Sequence, residues 1–416
     1  MREKKIFSFI PLLFVLTPSF SQNMNSPYSI YGIGDIDNRM YNKTSGMGGT
    51  GLALRSGNYF IDNNPAAISG LPRSFYLLNA SATGKTAQYS GEGIDETNRR
   101  NKDLWIKGIT LAVKINKFWA SSVGFRQFSN VNYKFSGSKN VIGSSETYNA
   151  LYEGDGGLND YYWTNAFSVG KHFSVGIKSS IIAGSINQTE TITNNAATSS
   201  IQTKQQDYFG SPRFELGGIY SVAVNKKWDL SLGGKYIDKT RLGSQRTLTV
   251  TENSSTILND NFIKYDRFYL PRTFGAGVSL THDKKTSFAA DYTFENWSPL
   301  NISGDGWHLI NSNRVSAGIE IAKYADIMGQ KLQKNYFQFG GFVSNSYLEV
   351  HNTPINEFGI TAGMGGKFNG NLLYTLSLEG GKRGTTSANL IRENFFQVTV
   401  SLTYRDLLFS KGRKYD

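Results

Sequence analysis

The chain has 416 residues, a mean hydropathy of −0.35 and no cysteine. The lack of cysteine excludes disulfides, thiolate metal sites and a lipid anchor attached through sulfur. The formal net charge is +12, but the basic residues are scattered and no DNA- or RNA-binding motif occurs, so we expect no nucleic-acid partner.

The first residues have the pattern of a secretory signal peptide. Basic residues within positions 2–5 precede an apolar stretch from Ile6 to Leu16, and Ser19 and Ser21 place small side chains before a cleavage position. We therefore predict a signal peptide over residues 1–21. No later segment offers the ~20 continuous apolar residues of a membrane-spanning helix, so we expect export to the outer membrane of a Gram-negative bacterium.

Residues 22–73 are rich in glycine and asparagine and alternate only weakly. Apolar residues at Ile30, Met47, Leu52 and Phe60 indicate a packed segment rather than a free tail. Within it, residues 46–51 match the G-x-G-x-x-G pattern, but no strand precedes them and no α/β unit follows, which argues against dinucleotide binding. We predict that residues 22–73 form a plug inside a lumen.

From residue 74 onward, strand-like segments repeat with alternating apolar and polar side chains. Successive side chains of a strand point to opposite faces, and closed bacterial barrels contain an even number of strands. The pattern predicts an all-β fold, an antiparallel transmembrane β-barrel of about fourteen strands over residues 74–409, followed by a periplasmic tail at 410–416. The expected strands lie near residues 74–83, 104–115, 118–135, 160–171, 173–186, 212–225, 227–240, 270–282, 285–297, 311–323, 335–346, 356–368, 372–382 and 394–405.

The last of these segments has the clearest two-faced pattern. Residues of one parity are apolar and those of the other are polar, so we predict a lipid-facing side that also serves as the insertion signal. Its members are Phe396, Val398, Val400, Leu402 and Tyr404.

The connections between the predicted strands alternate between short and long. Short ones fall near residues 116–117, 171–172, 225–227, 282–285 and 369–371, with a longer one at 325–334. Long polar stretches lie between them, at 84–103, 136–159, 187–211, 241–269, 298–310, 347–355 and 383–393. Because outer-membrane barrels have short periplasmic turns and long outer loops, this alternation predicts the orientation of the barrel.

No constellation of catalytic or metal-binding residues stands out. The four histidines are dispersed, and no G-x-S-x-G elbow or histidine–carboxylate spacing occurs, so we predict no enzyme activity, no metal and no cofactor. Gly124, inside a long predicted strand, marks either a bend of the wall or a small lumen-facing residue.

Residues 46–53, followed by residues 60–68 with Asn64-Pro65-Ala66, resemble the N-terminal hatch of FadL-type outer-membrane transporters. That family has a small-residue stretch, an N-P-A motif and then the first barrel strand. The resemblance implies a fourteen-stranded barrel plugged by the hatch. It also implies a set of hatch or ligand-gating residues, namely Gly46, Gly48, Gly49, Gly51, Phe60, Ile61, Asn64, Pro65 and Ala66.

The resemblance implies passive transport of small hydrophobic, fatty-acid-like molecules through a hatch-gated lumen. An alternative is a non-transporting accessory barrel of a secretion or assembly complex, as in PorV-like members of the superfamily. A general porin is a third hypothesis, against which the plug argues. Expected partners are outer-membrane lipid and lipopolysaccharide, a hydrophobic ligand, envelope proteins, and the barrel assembly machinery during biogenesis.

Overall fold

The structure is a computed structural model that describes residues 26–408, apart from residues 95, 97, 98, 141–146, 195–198, 265–267, 328, 329 and 370. The predicted signal peptide at 1–21 and the predicted tail at 410–416 lie outside the described residues. In the described part of the chain, no helix is long and apolar enough to cross a membrane.

The described residues form a predominantly β structure with a few short 3-10 helices. In chain order the strands are β1 Asp35–Ile36, β2 Phe75–Gly91, β3 Arg100–Lys114, β4 Trp119–Asn140, β5 Thr147–Val169, β6 Phe173–Asn194, β7 Ser199–Ala223, β8 Trp228–Ile237, β9 Thr240–Leu242, β10 Ser244–Glu252, β11 Ser255–Lys264, β12 Phe268–Leu270, β13 Arg272–His282, β14 Thr286–Asn296, β15 Ser303–Gly304, β16 Trp307–Leu309, β17 Ser312–Ile327, β18 Gln330–Asn345, β19 Leu348–Val350, β20 Thr353–Pro354, β21 Glu357–Asn369, β22 Leu372–Arg383 and β23 Ile391–Leu407. The 3-10 helices are Pro27–Ile30, Lys43–Met47, Pro65–Gly70, Ser298–Leu300 and Ser387–Asn389.

Fourteen strands form one closed antiparallel barrel, as the sequence predicted. The wall consists of β2 to β8, β13, β14, β17, β18 and β21 to β23, each paired with its neighbours. The barrel closes between β2 and β23, whose ladder runs from Phe75 opposite Leu407 to Gly91 opposite Ile391. Closure leaves no sheet edge facing lipid, which a membrane-embedded sheet requires.

The two faces of the wall follow the alternation in the sequence. In β23, Phe396 and Val400 point outward and are 50% and 41% exposed, whereas the intervening Thr399 points inward and is 4% exposed. Apolar outward residues match hydrocarbon, and polar inward residues find hydrogen-bond partners in the lumen. The lipid-facing parity predicted for this strand is therefore present in the structure.

Several strands are longer than predicted. The ladder between β5 and β6 extends from Val169 opposite Phe173 to Asn149 opposite Thr193, so much of the predicted loops at 136–159 and 187–211 is strand. A tilted strand needs only about 9–11 residues to cross a membrane, so β4 to β7, with β10 and β11, continue well beyond it. The sequence did not predict this extension, because polar residues occupy both faces there and the apolar–polar alternation that identifies a strand is missing.

Six short turns lie at the other end of the barrel, which we call the periplasmic end after the predicted orientation. The connection predicted to be longer, at 325–334, is short, because β17 ends at Ile327 and β18 begins at Gln330. The end with the extended strands is called the outer end.

The plug, residues 26–73, packs inside this barrel and supplies much of its core. Near the outer end, Tyr28 and Ile33 join a buried apolar cluster with Phe128 and Trp297. A second cluster at the periplasmic half contains Phe60, Ile68 and Leu71 of the plug together with strand residues.

The orientation predicts how single cysteines will react, and the absence of native cysteine makes the experiment clean. We expect Glu252→Cys, at the tip of the β10–β11 hairpin, to react with a polymer-linked maleimide on intact cells. Lys226→Cys, in the turn between β7 and β8, should react only after lysis. Labelling of the Lys226→Cys variant on intact cells would contradict the orientation.

Candidate functional site: the plug within the lumen

The plug runs through the lumen from one end to the other. At the outer end, the hydroxyl of Tyr28 donates a hydrogen bond of 2.5 Å to the carbonyl of Ile391. At the periplasmic end, the hydroxyl of Tyr59 donates one of 2.8 Å to the carbonyl of Lys334. Residues 26–73 are therefore attached to the wall at both ends of the barrel.

Part of the plug extends the wall sheet. Asp35–Ile36 pairs antiparallel with residues 129–130 of β4, and the amide of Asp37 donates to the carbonyl of Phe128 at 3.0 Å. The neighbouring strand β3 pairs with β4 only up to Gly108. The plug thus supplies backbone partners to β4 where the described ladder with β3 has ended, which satisfies buried peptide groups.

Largely buried ion pairs hold the outer half of the plug. The guanidinium of Arg39 contacts Glu379, with Nε 2.8 Å from Oε1, and also contacts the carboxylate of Glu357. Arg383 of the wall in turn contacts Asp35 of the plug, with Nη1 2.6 Å from Oδ2. Each pair joins a plug residue to a strand residue, so the plug cannot leave this position without separating charges.

Two further pairs lie deeper in the lumen. Lys107 Nζ is 2.8 Å from Asp37 Oδ2, to which the hydroxyl of Tyr41 also donates. Lys43 Nζ is 2.8 Å from Glu320 Oε1. Separating one partner of a buried pair leaves an uncompensated charge, which costs about 3–5 kcal/mol, so the plug is held strongly.

The glycine-rich stretch brings the plug backbone against the backbone of the wall. A Cβ atom at Gly46 would lie 2.6 Å from the Cα of Gly363, and one at Gly48 would lie 2.5 Å from the carbonyl oxygen of Gly341. Gly48 also has φ +68°, a conformation that favours glycine. Gly49 follows with φ +77° and turns the chain after these contacts.

Directly after this turn, the wall binds the plug backbone through a carboxylate. The amides of Gly51 and Leu52 donate to the same oxygen of Asp291, at 2.6 and 2.9 Å. The hydroxyl of Thr50 bonds to Ser316 at 2.9 Å. Hydrogen bonds to a charged acceptor are stronger than neutral ones, which favours a fixed position for this stretch.

Asn64 connects the plug both to itself and to the wall. Its side-chain amide nitrogen lies 3.1 Å from the carbonyl oxygens of Gly218 and Gly234 and 2.9 Å from that of Leu52. Its side-chain oxygen accepts from the amide of Ala66 at 3.0 Å and so caps the short helix that follows.

Pro65 and the two apolar candidates complete the contact with the wall. Pro65 begins the helix Pro65–Gly70 and lies so close to Gly176 that a Cβ there would be 2.4 Å from its carbonyl carbon. Phe60 and Ile61 are buried among apolar side chains of the plug and the wall. The structure therefore brings the predicted hatch residues together along the inner wall.

Gly124 lies in regular pairing with Thr110 on one side and Tyr162 on the other. The hydroxyls of these two neighbours bond to each other at 2.5 Å, and a Cβ at Gly124 would be 2.9 Å from the Thr110 oxygen. The irregularity of this strand comes a few residues later, between Gln127 and Ser129.

A polar cavity of about 100 Å³ remains in the described lumen. Charged side chains of both signs line it, among them Asp37, Arg126, Glu215, Lys235 and Arg314. Polar cavities of this size hold water. In the described residues, no group of three or more histidine, aspartate or glutamate side chains is placed to hold a metal ion.

Sequence reasoning missed the charged residues that hold the plug. It singled out glycine, Asn64-Pro65-Ala66 and apolar positions, whereas Asp35, Asp37, Arg39 and Lys43 form the ion pairs. A signal was present, because acidic residues such as Glu320 occupy lumen-facing positions in otherwise apolar strands, and buried acids need partners.

Comparison with known proteins identifies a matching family and solved structures with a similar fold. A family model described as BamG matches residues 2–416, and no curated protein sequence matches the chain.

Among solved structures, the Pseudomonas putida toluene transporter TodX is 14% identical, with a TM-score of 0.60, 90% of this chain covered and 100% of that chain. A Pseudomonas aeruginosa FadL homologue is 13% identical, with a TM-score of 0.59 and coverage of 89% and 99%. The CymD monoaromatic hydrocarbon channel is 16% identical, with a TM-score of 0.57 and coverage of 88% and 97%. At these identities the likeness establishes the FadL-type fold.

Proposed function

Because this chain belongs to the BamG family, we propose that it acts as an accessory barrel in an outer-membrane protein assembly or secretion complex. The closed fourteen-strand wall and its FadL-type neighbours place the protein in the bacterial outer membrane, where its apolar band contacts lipid. Of the family match and the structural neighbours, it is the BamG family name that points to a role in assembly. In this proposal the outer loops and the outer surface of the wall bind the partner proteins, and the filled lumen is a structural core.

The ion pairs between the plug and the wall are the observation on which this proposal rests. They occur at several levels of the lumen, at Asp35, Asp37, Arg39 and Lys43. A gate that opens to solutes would separate several of these pairs in each cycle, at a cost of several kcal/mol for each. A permanent core has no such requirement.

The remaining cavity supports the same conclusion. Sites for hydrophobic molecules are mostly apolar and have volumes of about 300–1,000 Å³. The lumen cavity here is about 100 Å³ and is lined by charged groups such as Arg213 and Glu215, so it suits water better than hydrocarbon.

Passive transport of small hydrophobic molecules is the second candidate. The TodX toluene transporter and the CymD monoaromatic hydrocarbon channel have this fold. The described ladder between β3 and β4 also ends at Gly108, where Asp35–Ile36 takes over. Withdrawal of that plug segment would leave a gap in the wall through which a hydrophobic molecule could pass.

Purification of the full-length protein from its own membranes in mild detergent separates the two candidates. We expect stoichiometric co-purification of other outer-membrane or periplasmic proteins, with no hydrophobic ligand in the lumen. Recovery of the barrel alone, with a lipid-like molecule bound inside, would contradict the accessory role and favour transport.

Removal of residues 46–66 gives a second, independent comparison. The deletion takes out the contacts to Asp291 and the Asn64 cap, and we expect ion-conducting openings in planar bilayers that the intact protein lacks. An accessory barrel should keep its partners after this deletion, because they bind outside the lumen. Loss of hydrophobic uptake with partners unchanged would instead favour the transporter.

A further inference from the structure

The periplasmic end of the barrel carries a concentrated positive charge. Four of the six short turns contain exposed lysines, namely Lys117, Lys171, Lys226, Lys227, Lys284 and Lys285. The other two turns are flanked by exposed lysines, Lys323 and Lys334 at one and Lys367 at the other. Exposed Arg73 precedes β2 at the junction that closes the barrel. We call these ten residues the basic ring.

Few acidic residues balance the basic ring. Among the residues of this end whose side chains the structure describes, they are Asp229, Asp283 and Asp406. Ten basic residues against three acidic ones leave an excess of seven positive charges among these side chains.

Several basic residues at the outer end have carboxylate partners. There, Lys134 pairs with Glu153 at 2.7 Å and Lys139 with Glu190 at 2.6 Å. Arg246 and Arg272 have carboxylate partners as well. No member of the basic ring forms an ion pair with a carboxylate in the described residues. The positive charge of the basic ring is therefore available to an anionic partner outside the chain.

The basic ring lies at the level of interfacial aromatic residues. Phe118, Phe173 and Phe368, next to the turns, are 53%, 43% and 58% exposed on the outward face. The ammonium of Lys117 is 4.7 Å from the centre of the Phe118 ring. Girdles of aromatic residues flank the apolar band of outer-membrane barrels at both interfaces, which places the lysines among the headgroups.

We propose that the basic ring binds anionic phospholipid headgroups of the periplasmic leaflet. Its distribution favours lipid over a protein partner, because every hairpin around the circumference contributes at least one charge. A lipid annulus contacts a barrel from all sides, whereas a protein partner covers one side. Basic clusters next to a membrane surface attract anionic lipids, and the attraction falls as salt rises.

Quenching of tryptophan fluorescence by brominated lipids tests this proposal, since Trp119 and Trp228 begin strands beside the turns. The full-length protein is reconstituted in vesicles of phosphatidylethanolamine and phosphatidylglycerol at about three to one, with one of the two lipids brominated. We expect brominated phosphatidylglycerol to be enriched around the barrel roughly twofold or more over its bulk fraction at low salt. High salt should remove the enrichment.

Two matched variants assign the effect to the ring. The first variant changes six lysines of the ring to glutamine, namely Lys117, Lys171, Lys226, Lys227, Lys284 and Lys285. The second makes the same change at four lysines of the outer end, namely Lys102, Lys134, Lys139 and Lys204. We expect the first variant to lose the enrichment and the second to keep it, with heat-modifiable gel migration reporting that both fold.

Equal quenching by the two lipids in the wild-type protein would overturn the proposal. Enrichment that persists in the six-lysine variant would overturn it too. If that variant kept the lipid preference but lost a co-purifying periplasmic protein, the ring would be a protein-docking surface instead. Because these measurements use purified protein in lipid, they do not depend on the accessory role.

Discussion

Replacing Arg39 with glutamate is expected to destabilise the closed barrel by about 3–5 kcal/mol, the cost of breaking a buried ion pair. Arg39 contacts both Glu357 and Glu379, so the substitution would replace the cation between them with a third carboxylate. The free energy of unfolding, measured by urea titration in detergent, should fall by this amount. Planar-bilayer recordings should show ion-conducting openings, because the outer half of the plug loses both of these ion pairs.

Two controls accompany this variant. Lys134→Glu breaks an exposed pair with Glu153, and exposed pairs contribute only about 0–1 kcal/mol, so stability should hardly change and no openings should appear. In the double variant Arg39→Glu, Glu379→Arg one opposite-charge pair is restored, and part of the lost stability should return. An Arg39→Glu protein that is as stable and as closed as the wild type would mean that the ion pairs do not hold the plug.

The sequence predicted the wall of the barrel well, because each wall strand has one face in contact with lipid and that face must be apolar. Phe396, Val400 and Leu402 must be apolar, and their neighbours are free to be polar, so alternation identifies the strand. The extension of β5 and β6 beyond the membrane has no such constraint. Its strands are held by backbone hydrogen bonds that any side chain permits, so the sequence resembled a loop.

The plug was predictable in outline but not in its contacts. Glycines and Asn64 carry a local signal, since close backbone approach and capping need particular residue types at adjacent positions. The pairs of Arg39 with Glu357 and Glu379 join residues more than three hundred positions apart. Nothing in the local sequence specifies which lumen-facing acid meets which plug cation, because that depends on the register of the whole barrel.

Replacing Val400 with arginine should have the second large effect, on membrane assembly. Val400 points outward from the middle of β23, between Leu376 of β22 and Ala82 of β2. Arginine on the lipid face near the bilayer midplane costs about 2–4 kcal/mol. We expect a markedly smaller folded fraction in outer-membrane preparations, seen as loss of heat-modifiable migration, and slower folding into vesicles in vitro.

Asn394→Arg is the matched control, because Asn394 lies on the same strand and the same outward face but near the outer end. There the cost falls to about 0–1 kcal/mol, so assembly should stay close to that of the wild type. Thr399 would be a poorer control, since its hydroxyl packs 3.0 Å from that of Thr83 in the filled lumen and an arginine there would test packing. If the Val400→Arg and Asn394→Arg variants assembled equally well, depth in the membrane would not matter at Val400, and the lipid-facing assignment of the terminal strand would fail.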